Sequence, residues 1–487
     1  MKNYHGILFF GQSTEIAGRG ITSQRLRTSA RRHNYDVLTV DFVCDINKEE
    51  ILAIIDNNVS DTTKFLGFST SWLDFFNAHE FVWMDLDFFR TVKEKYPQLK
   101  IITGGHDAWN RPLLMNFSDY HFHGFSDNTF VEFLHMINGA DYKLDLTKNK
   151  LAGGYFIDSN KTNPIVDPND IETVFVKEDN FMSYQPVPIE FSRGCIFRCG
   201  FCRHPFQGKK YYDSYQRTPE NIAQELRRNY DLFGTTRYSV MDDTFNDSIE
   251  KITRVRRALD IAKIPNFEMV AYIKPELLVT KPEMINMLAD IGLRSAFIGI
   301  ESFKPLSRKA IGKGTDIDRV LDACHRLATV RSSKPVLIHA NFIVGLPEES
   351  REEILTTHEF LMTNRDNIFR SWYWYPLYVR NDDSTPEDSL SIFDKNFDDY
   401  GYTIPKNSGQ WSNQYFTHVT ANQLAEWLNN QGWQVRKYGG WHVSGGWHVN
   451  KTDWELENNL LRYENLKDQV KLQARQRAEY ELKMLLE

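Results

Sequence analysis

Glu190-Phe191-Ser192-Arg193-Gly194-Cys195-Ile196-Phe197-Arg198-Cys199-Gly200-Phe201-Cys202 places three of the chain's five cysteines within eight residues. The spacing is Cys-x3-Cys-x2-Cys, directly after an apolar run, Val187–Phe191, that reads as a strand. Three thiolates on one short loop can each take one iron of a 4Fe-4S cluster, leaving the fourth iron open to a non-protein ligand. Arg193 and Arg198 would offset negative charge there. Gly194 and Gly200 would let the loop wrap closely, because glycine accepts positive φ. Zinc is the rival ligand: His204 follows Cys202 by two residues, so Cys195, Cys199, Cys202 and His204 could form a Cys3His site. Zinc knuckles are normally well separated in sequence, which this compact triplet is not.

Outward from the loop, strand-like and helical stretches alternate. Strands are expected at Val187–Phe191, Arg237–Met241, Phe267–Ala271, Ser295–Gly299, Leu337–Val344 and Phe369–Tyr375. Helices are expected at Thr218–Phe233, Ile249–Ala262, Lys281–Ile291, Asp316–Thr329 and Arg351–Thr363. Thr218-Pro219-Glu220 is a helix start, an N-cap followed by proline at the first helical position. Six strand–helix units over residues 186–376 predict a partial barrel.

Residues 1–140 show a second alternation. Gly6–Phe10, Asp36–Phe42, Lys64–Ser69 and Leu99–Thr103 read as strands; Gly20–His33, Asn47–Asp56, Ala78–Lys95 and Asn128–Ile137 read as helices. That pattern predicts a Rossmann-like, doubly wound parallel sheet, whose ligands sit at the carboxyl ends of the strands. Small and polar residues stand there, including Gly11, Ser69, Thr70, Gly104, Gly105 and Ser126. Plain turn chemistry explains them equally well. Residues 141–185 are polar and read as a linker with a single hairpin. The overall class is therefore α/β, completed by a small C-terminal α+β domain over 377–487. That tail repeats Gly-Gly-Trp-His-Val at 439–443 and again at 445–449, as a Gly-rich hairpin would, and ends in a charged helix from about Trp454.

Composition bounds the rest. The chain has 487 residues, 41% hydrophobic and 14% aromatic, enough for two to four packed domains. A net charge of −7 argues against binding nucleic acid through the overall field. No apolar run approaches the ~20 residues that span a bilayer. Met1–Phe10 reads as a buried first strand and not a signal peptide. Few cysteines, with no disulfide framework, point to a reducing cytoplasm. Cys324 and Cys44 read as packed small hydrophobes.

The cysteine loop and the strand ends after it resemble the radical S-adenosylmethionine (SAM) superfamily. The aromatic Phe201 sits inside the triplet, Met241-Asp242-Asp243-Thr244-Phe245 ends the second strand, Ile298-Gly299-Ile300-Glu301-Ser302 the fourth, and Asn341-Phe342-Ile343-Val344-Gly345-Leu346-Pro347 the fifth. With the N-terminal alternation, the order resembles the class that carries a cobalamin-binding-type domain. The resemblance covers roughly residues 1–376. It implies a cluster on Cys195, Cys199 and Cys202 that reductively cleaves SAM to a 5′-deoxyadenosyl radical. It also implies SAM contacts from Phe201, Asp242, Asp243, Glu301, Asn341, Gly345 and Pro347. An electron donor such as flavodoxin or ferredoxin is implied by the chemistry. The substrate, whether small molecule, peptide or nucleic acid, is not readable.

Bland readings stand beside these. Asp242 or Asp243 could cap a helix, Glu301 could be paired with an arginine, and Gly345 to Pro347 could be turn residues. For cobalamin, Gly11, Ser69, Thr70, Gly104, Gly105 and Ser126 are the candidate contacts. The Asp-x-His-x-x-Gly motif is absent, as in many relatives, and His106 is better read as packing or surface. Arg25, Arg27, Arg31 and Arg32 read as a solvated basic face or, alternatively, an anion contact. With cobalamin, methyl transfer to an unactivated carbon is the expected reaction; without it, a rearrangement, cyclisation or oxidation. A non-catalytic zinc or cluster protein is the alternative class. In the strand ending Trp372-Tyr373-Trp374-Tyr375, one of the two alternating pairs would face the barrel interior. The tail would select substrate, so its removal would leave SAM cleavage intact.

Overall fold

The computed structural model describes residues 3–10, 20–41, 43, 46–69, 86–105, 117–148, 153–162, 167–179, 181, 186–203, 215–331, 335–364, 368–381, 387, 390–431 and 483. Gly11, Thr70, His106, Cys44, His204, the Trp-His repeat and nearly all of the terminal helix lie outside them. The chain divides between Asn180 and Phe181 into two compact units.

The first unit is built on a seven-stranded sheet in the order β2-β1-β3-β4-β5-β7-β6. Its strands are β1 (Gly6–Phe9), β2 (Val37–Val40), β3 (Phe65–Ser69), β4 (Lys100–Gly104), β5 (Tyr120–His123), β6 (Thr147–Lys148) and β7 (Tyr155–Asp158). All pairings are parallel except β6 with β7. The reversal of order at β1 and β3 is a topological switch point, where doubly wound sheets bind ligands. Buried runs on β1 and β3 fit a sheet covered on both faces.

Two expectations change here. Residues 141–185, read as a linker with one hairpin, do carry an antiparallel pair, β6–β7, but β7 also extends the sheet beside β5, so the stretch belongs to the domain. Segment 167–179 then lies along helix Ile21–Arg32. The arginines of that helix hold it: Arg27 makes a two-pronged pair with Asp179 at 2.7 and 2.5 Å, and Arg25 reaches Thr173 at 3.3 Å. Arg25 and Arg27 are buried, so they form neither a solvated face nor a free anion contact. Only Arg31 and Arg32 stay partly solvated, in pairs with Asp36 and Glu172. The sequence pattern showed the charges but not the acidic partners some 150 residues away.

The second unit holds six strands in simple sequence order: β8 (Val187–Ile189), β9 (Arg237–Val240), β10 (Glu268–Ile273), β11 (Leu293–Glu301), β12 (Leu337–Val344) and β13 (Ser371–Pro376). Every neighbour pair is parallel, as a partial barrel requires. Thr218 caps helix Pro219–Phe233 through Asn221 N at 3.3 Å, and Gly234 ends it at φ 65°. Cys324 is fully buried, as a small hydrophobe should be.

Helix His418–Gln431 packs on this sheet. Asn429, on helix His418–Gln431, accepts from Trp374 N at 3.0 Å and donates to Trp374 O at 2.8 Å. The Trp374 ring stacks on Phe342 with centroids 4.7 Å apart. Trp372 and Trp374 thus face the helical layer, and Tyr373 and Tyr375 face inward. Among the described residues no helix is long and apolar enough to cross a membrane.

Candidate functional site

The cysteine loop leaves the carboxyl end of β8, with Gly194 at φ 93° turning the chain. Cys195, Cys199 and Cys202 are in no disulfide, and each is half-buried. Cys195 Sγ lies 3.4 Å from Thr244 Oγ1, at the end of β9. Lys274, at the end of β10, brings Nζ within 3.9 Å of Cys199 Sγ and lies over the Phe197 ring. Burial pushes the Cys195 thiol up, so taking it to a thiolate ligand requires proton release. Among the described residues no three His, Cys, Asp or Glu side chains form a set that could hold a single metal ion. A cluster asks for something else, one thiolate for each of three irons. Three accessible thiols on one loop, with a lysine beside them, fit that donor set.

Asp242 has a different job from the SAM contact expected of it. It is fully buried and accepts from Phe191 N at 2.7 Å, Ser192 N at 3.2 Å and Ser192 Oγ at 2.8 Å. Lys251 Nζ lies 2.7 Å from it and 3.2 Å from Asp247. Asp242 therefore ties the root of the cysteine loop to β9. Asp243, one residue on, is half-buried and close enough to act electrostatically on Cys195.

Glu301 is a non-glycine residue at φ 68°, where the β11–β12 register shifts. Such a bulge re-aims a side chain, and left-handed backbone at a non-glycine residue is uncommon enough to mark a site. Its carboxylate meets Lys313 Nζ at 2.9 Å, and the same ammonium donates to Gly299 O at 2.6 Å. Burial alone would lower the Lys313 pKa; Glu301, Glu276 and Cys199 outweigh it and hold the lysine charged. Arg308 completes the layer, donating to Ile300 O, Ser302 O and Glu276. The partner of Glu301 is thus a lysine, not the arginine that the sequence reading left open.

After β12, Gly345 sits at φ 99°, and an added Cβ would come within 2.3 Å of the Trp411 ring. Its carbonyl accepts from Tyr402 OH at 2.8 Å and Asn413 Nδ2 at 3.3 Å. Pro347 O accepts from Ser307. Asn341 pairs in register with Gly299 and Tyr373 on the inner face. Below it runs a π row: Tyr272 to Phe297 at 5.4 Å and Phe297 to His339 at 5.3 Å. Phe201 lies half-buried inside the cysteine triplet. A groove of about 350 Å³ lined by Arg256, Asp290 and Arg331 opens at the amino ends of β10 and β11. It is remote from the cysteines, and its mixed, self-paired charges give it no part in this site.

Glu349, in the same loop, is buried beside Ser302 Oγ at 2.5 Å, and burial pushes its carboxyl up to about 8. A carboxyl raised in the native state stabilises the fold fully below its unfolded pKa. That contribution is lost as pH climbs from about 4.5 through about 8. Glu349→Gln should therefore gain stability relative to wild type across that window. Melting temperatures at pH 5 and pH 8.5 check it: an equal difference at both pH values would refute the buried neutral acid.

In the first unit, Ser69 and Gly104 pair in register at the carboxyl ends of β3 and β4, and Gly105 follows at φ 142°. Ser126 bonds Ser159 at 2.9 Å and Gly124 O at 3.2 Å. The structure brings Ser69, Gly104 and Gly105 to one end of the sheet.

Residues 189–361 match the radical SAM superfamily. The chain carries a radical SAM domain. It is 29% identical over 174 residues to an uncharacterized methyltransferase of Pyrococcus horikoshii, covering 35% of each chain. It is 24% identical over 225 residues to the bacteriochlorophyllide d C-12(1)-methyltransferase of Chlorobaculum tepidum, covering 46% of this chain and 47% of that one. A putative methylthiotransferase of Methanocaldococcus jannaschii is 27% identical over 231 residues, 44% of this chain and 46% of the other. These matches span under half the length of those relatives. In fold, the chain resembles the radical SAM methyltransferase TsrM of Kitasatospora setae, at TM-score 0.57 and 15% identity over 77% of this chain and 73% of that one. It also resembles the cobalamin-dependent SAM radical enzyme OxsB, at TM-score 0.59 and 12% identity over 99% and 81%. At such identities the likeness is one of fold. For OxsB it covers nearly the whole chain, the N-terminal sheet included.

The sequence pattern gave no sign of Lys274, an ordinary lysine in its local stretch. Lys251, four residues after Asp247 across the start of helix Ile249–Ala262, carried a local sign of pairing.

Proposed function

We propose that the chain is a radical SAM enzyme that transfers a methyl group to an unactivated carbon with the help of cobalamin. The observation that carries the radical SAM part is the cysteine loop at the carboxyl end of β8, with Lys274 beside Cys199 and a buried charged layer, Glu301, Lys313, Glu276 and Arg308, next to it. When bound, the 4Fe-4S cluster would supply the electron that breaks a carbon–sulfur bond of SAM. The protein's share is to position and to exclude side reactions. Cys195, Cys199 and Cys202 would hold the cluster. Lys274 and Lys313 would offset its negative charge. Asp243 and Asn341 would meet the polar groups of SAM, and Gly345 and Pro347 would shape the edge of its pocket. Tyr373 and Tyr375, on the inner face, would line the substrate cavity.

Methyl transfer is supported by the names of the relatives, two of them methyltransferases, and by the cobalamin-dependent neighbours in fold. Ser69, Gly104 and Gly105 bring small or absent side chains to the sheet's carboxyl end, which a ligand approaching the backbone would require. A methylthiotransferase relative favours a second reading. That class usually supplies three further cysteines in its N-terminal domain, and here only Cys44 stands there. The electron would come from a flavodoxin or ferredoxin.

The test is anaerobic reconstitution with iron and sulfide, then titration with hydroxocobalamin followed by absorbance, and a SAM cleavage assay. Retention of cobalamin on gel filtration together with 5′-deoxyadenosine formation supports the proposal. Cleavage without cobalamin retention moves the reaction to rearrangement, cyclisation or oxidation. Bound zinc with no labile sulfide and no cleavage overturns it.

A further inference from the structure

We infer that the segment following β13 is a clasp that sets the geometry of the cysteine loop, with Asp394 as its positioning residue. The inference rests on the reading of Cys195, Cys199 and Cys202 as cluster ligands. Arg203, the residue after Cys202, forks onto Asp394: Nε to Oδ2 at 2.7 Å and Nη2 to Oδ1 at 2.5 Å. The Asp394 side chain is wholly buried. It also accepts from Arg380 N at 2.8 Å, Ser391 N at 2.8 Å and Ser391 Oγ at 2.7 Å. One carboxylate thus gathers five donors, which fixes it as a rigid anchor for the arginine. The Arg203 guanidinium lies over the Tyr378 ring at 4.1 Å, and Arg380 approaches the same ring at 4.7 Å.

A second contact falls between the cysteines. Phe393 N donates to Gly200 O at 3.0 Å. The Phe393 ring lies so close that a Cβ at Gly200 would come within 2.7 Å of it. Glycine at 200 is needed for this approach, a reason the sequence did not show. On its other side, Gly200 N donates to Ile311 O at 3.2 Å. The loop is therefore held from two directions at the residue between Cys199 and Cys202. The same segment reaches the loop after β12, where Tyr402 OH meets Gly345 O. The clasp couples the cysteine loop to the loop expected to shape the SAM pocket. The expectation that removing residues 377–487 would leave SAM cleavage intact is thereby revised: truncation removes Phe393 and Asp394.

The test uses the full-length chain, reconstituted anaerobically with iron and sulfide, as wild type, Asp394→Asn, Asp394→Glu and Arg203→Lys. Loss of iron to a chelator and the electron paramagnetic resonance spectrum of the reduced cluster, with and without SAM, are the readouts. Circular dichroism melts report the fold separately. Asp394→Asn should lose iron about tenfold faster, in line with outer-shell partners of metal ligands. Its spectrum should shift, and Asp394→Glu should recover part of both effects. Should Asp394→Asn fail to fold, Arg203→Lys decides, since it keeps the charge and loses the fork. A folded variant with wild-type iron loss and spectrum overturns the clasp alone. A wild type that takes up no iron and sulfide overturns the cluster reading, and the clasp with it.

Discussion

Cys195→Ala should abolish SAM cleavage and leave the fold standing. Cys195 sits on a loop, half-buried, with Thr244 as its near side-chain neighbour. It contributes little packing, so its removal belongs with mild substitutions for stability. For a cluster held by the three cysteines the loss would be severe, because one iron would lose its thiolate and the other two ligands could not replace it. Bound iron should fall from about four per chain to a small residue. 5′-Deoxyadenosine should fall to the level seen without enzyme, while the melting temperature of the metal-free chain stays within about 2 °C. Iron, sulfide and product assays on wild type and variant check it. Undiminished cleavage by Cys195→Ala would remove this cysteine from the ligand set and reopen the zinc alternative.

Asp242→Ala acts in the opposite way, through stability. The carboxylate serves two backbone amides, the Ser192 hydroxyl and the Lys251 ammonium in a place without water access. Removing it leaves those amides unpaired and takes from a buried ammonium one of its two acidic partners. Breaking a buried pair costs about 3–5 kcal/mol, or roughly 10 °C in melting temperature for a domain of this size. Calorimetry of the metal-free protein measures it. A contact to SAM predicts a different result, an unchanged melt with weakened SAM binding. That outcome would return Asp242 to the pocket. Lys251→Met beside it separates the terms, since removing both charges should cost less than the sum of the two single changes.

Strand and helix order was legible throughout the second sheet and for the first four strands of the first, because buried parallel strands read as short apolar runs, and helices carry their own caps. The β12 range agrees residue for residue, Leu337–Val344. β5 and β7 were missed. Tyr120-His121-Phe122-His123 mixes aromatic rings with two histidines, and its burial becomes evident only when Thr103 bonds His121 at 2.7 Å. The cysteine loop was legible because its chemistry is local: three thiols, two glycines and an aromatic ring within thirteen residues.

By itself, then, the amino-acid sequence determined the α/β class, the six-unit barrel order and the three thiols, all of which depend on periodicity or short spacing. Only the tertiary structure decided what each charge does. It buried Arg27 against Asp179 and turned Asp242 inward to Lys251. It gave Glu301 to Lys313 and placed Asp394 on Arg203, 191 residues away. A charged side chain has no preferred partner until folding withdraws it from water. Once withdrawn it must be paired, and which partner stands within reach is a property of the packed chain, not of the neighbouring residues.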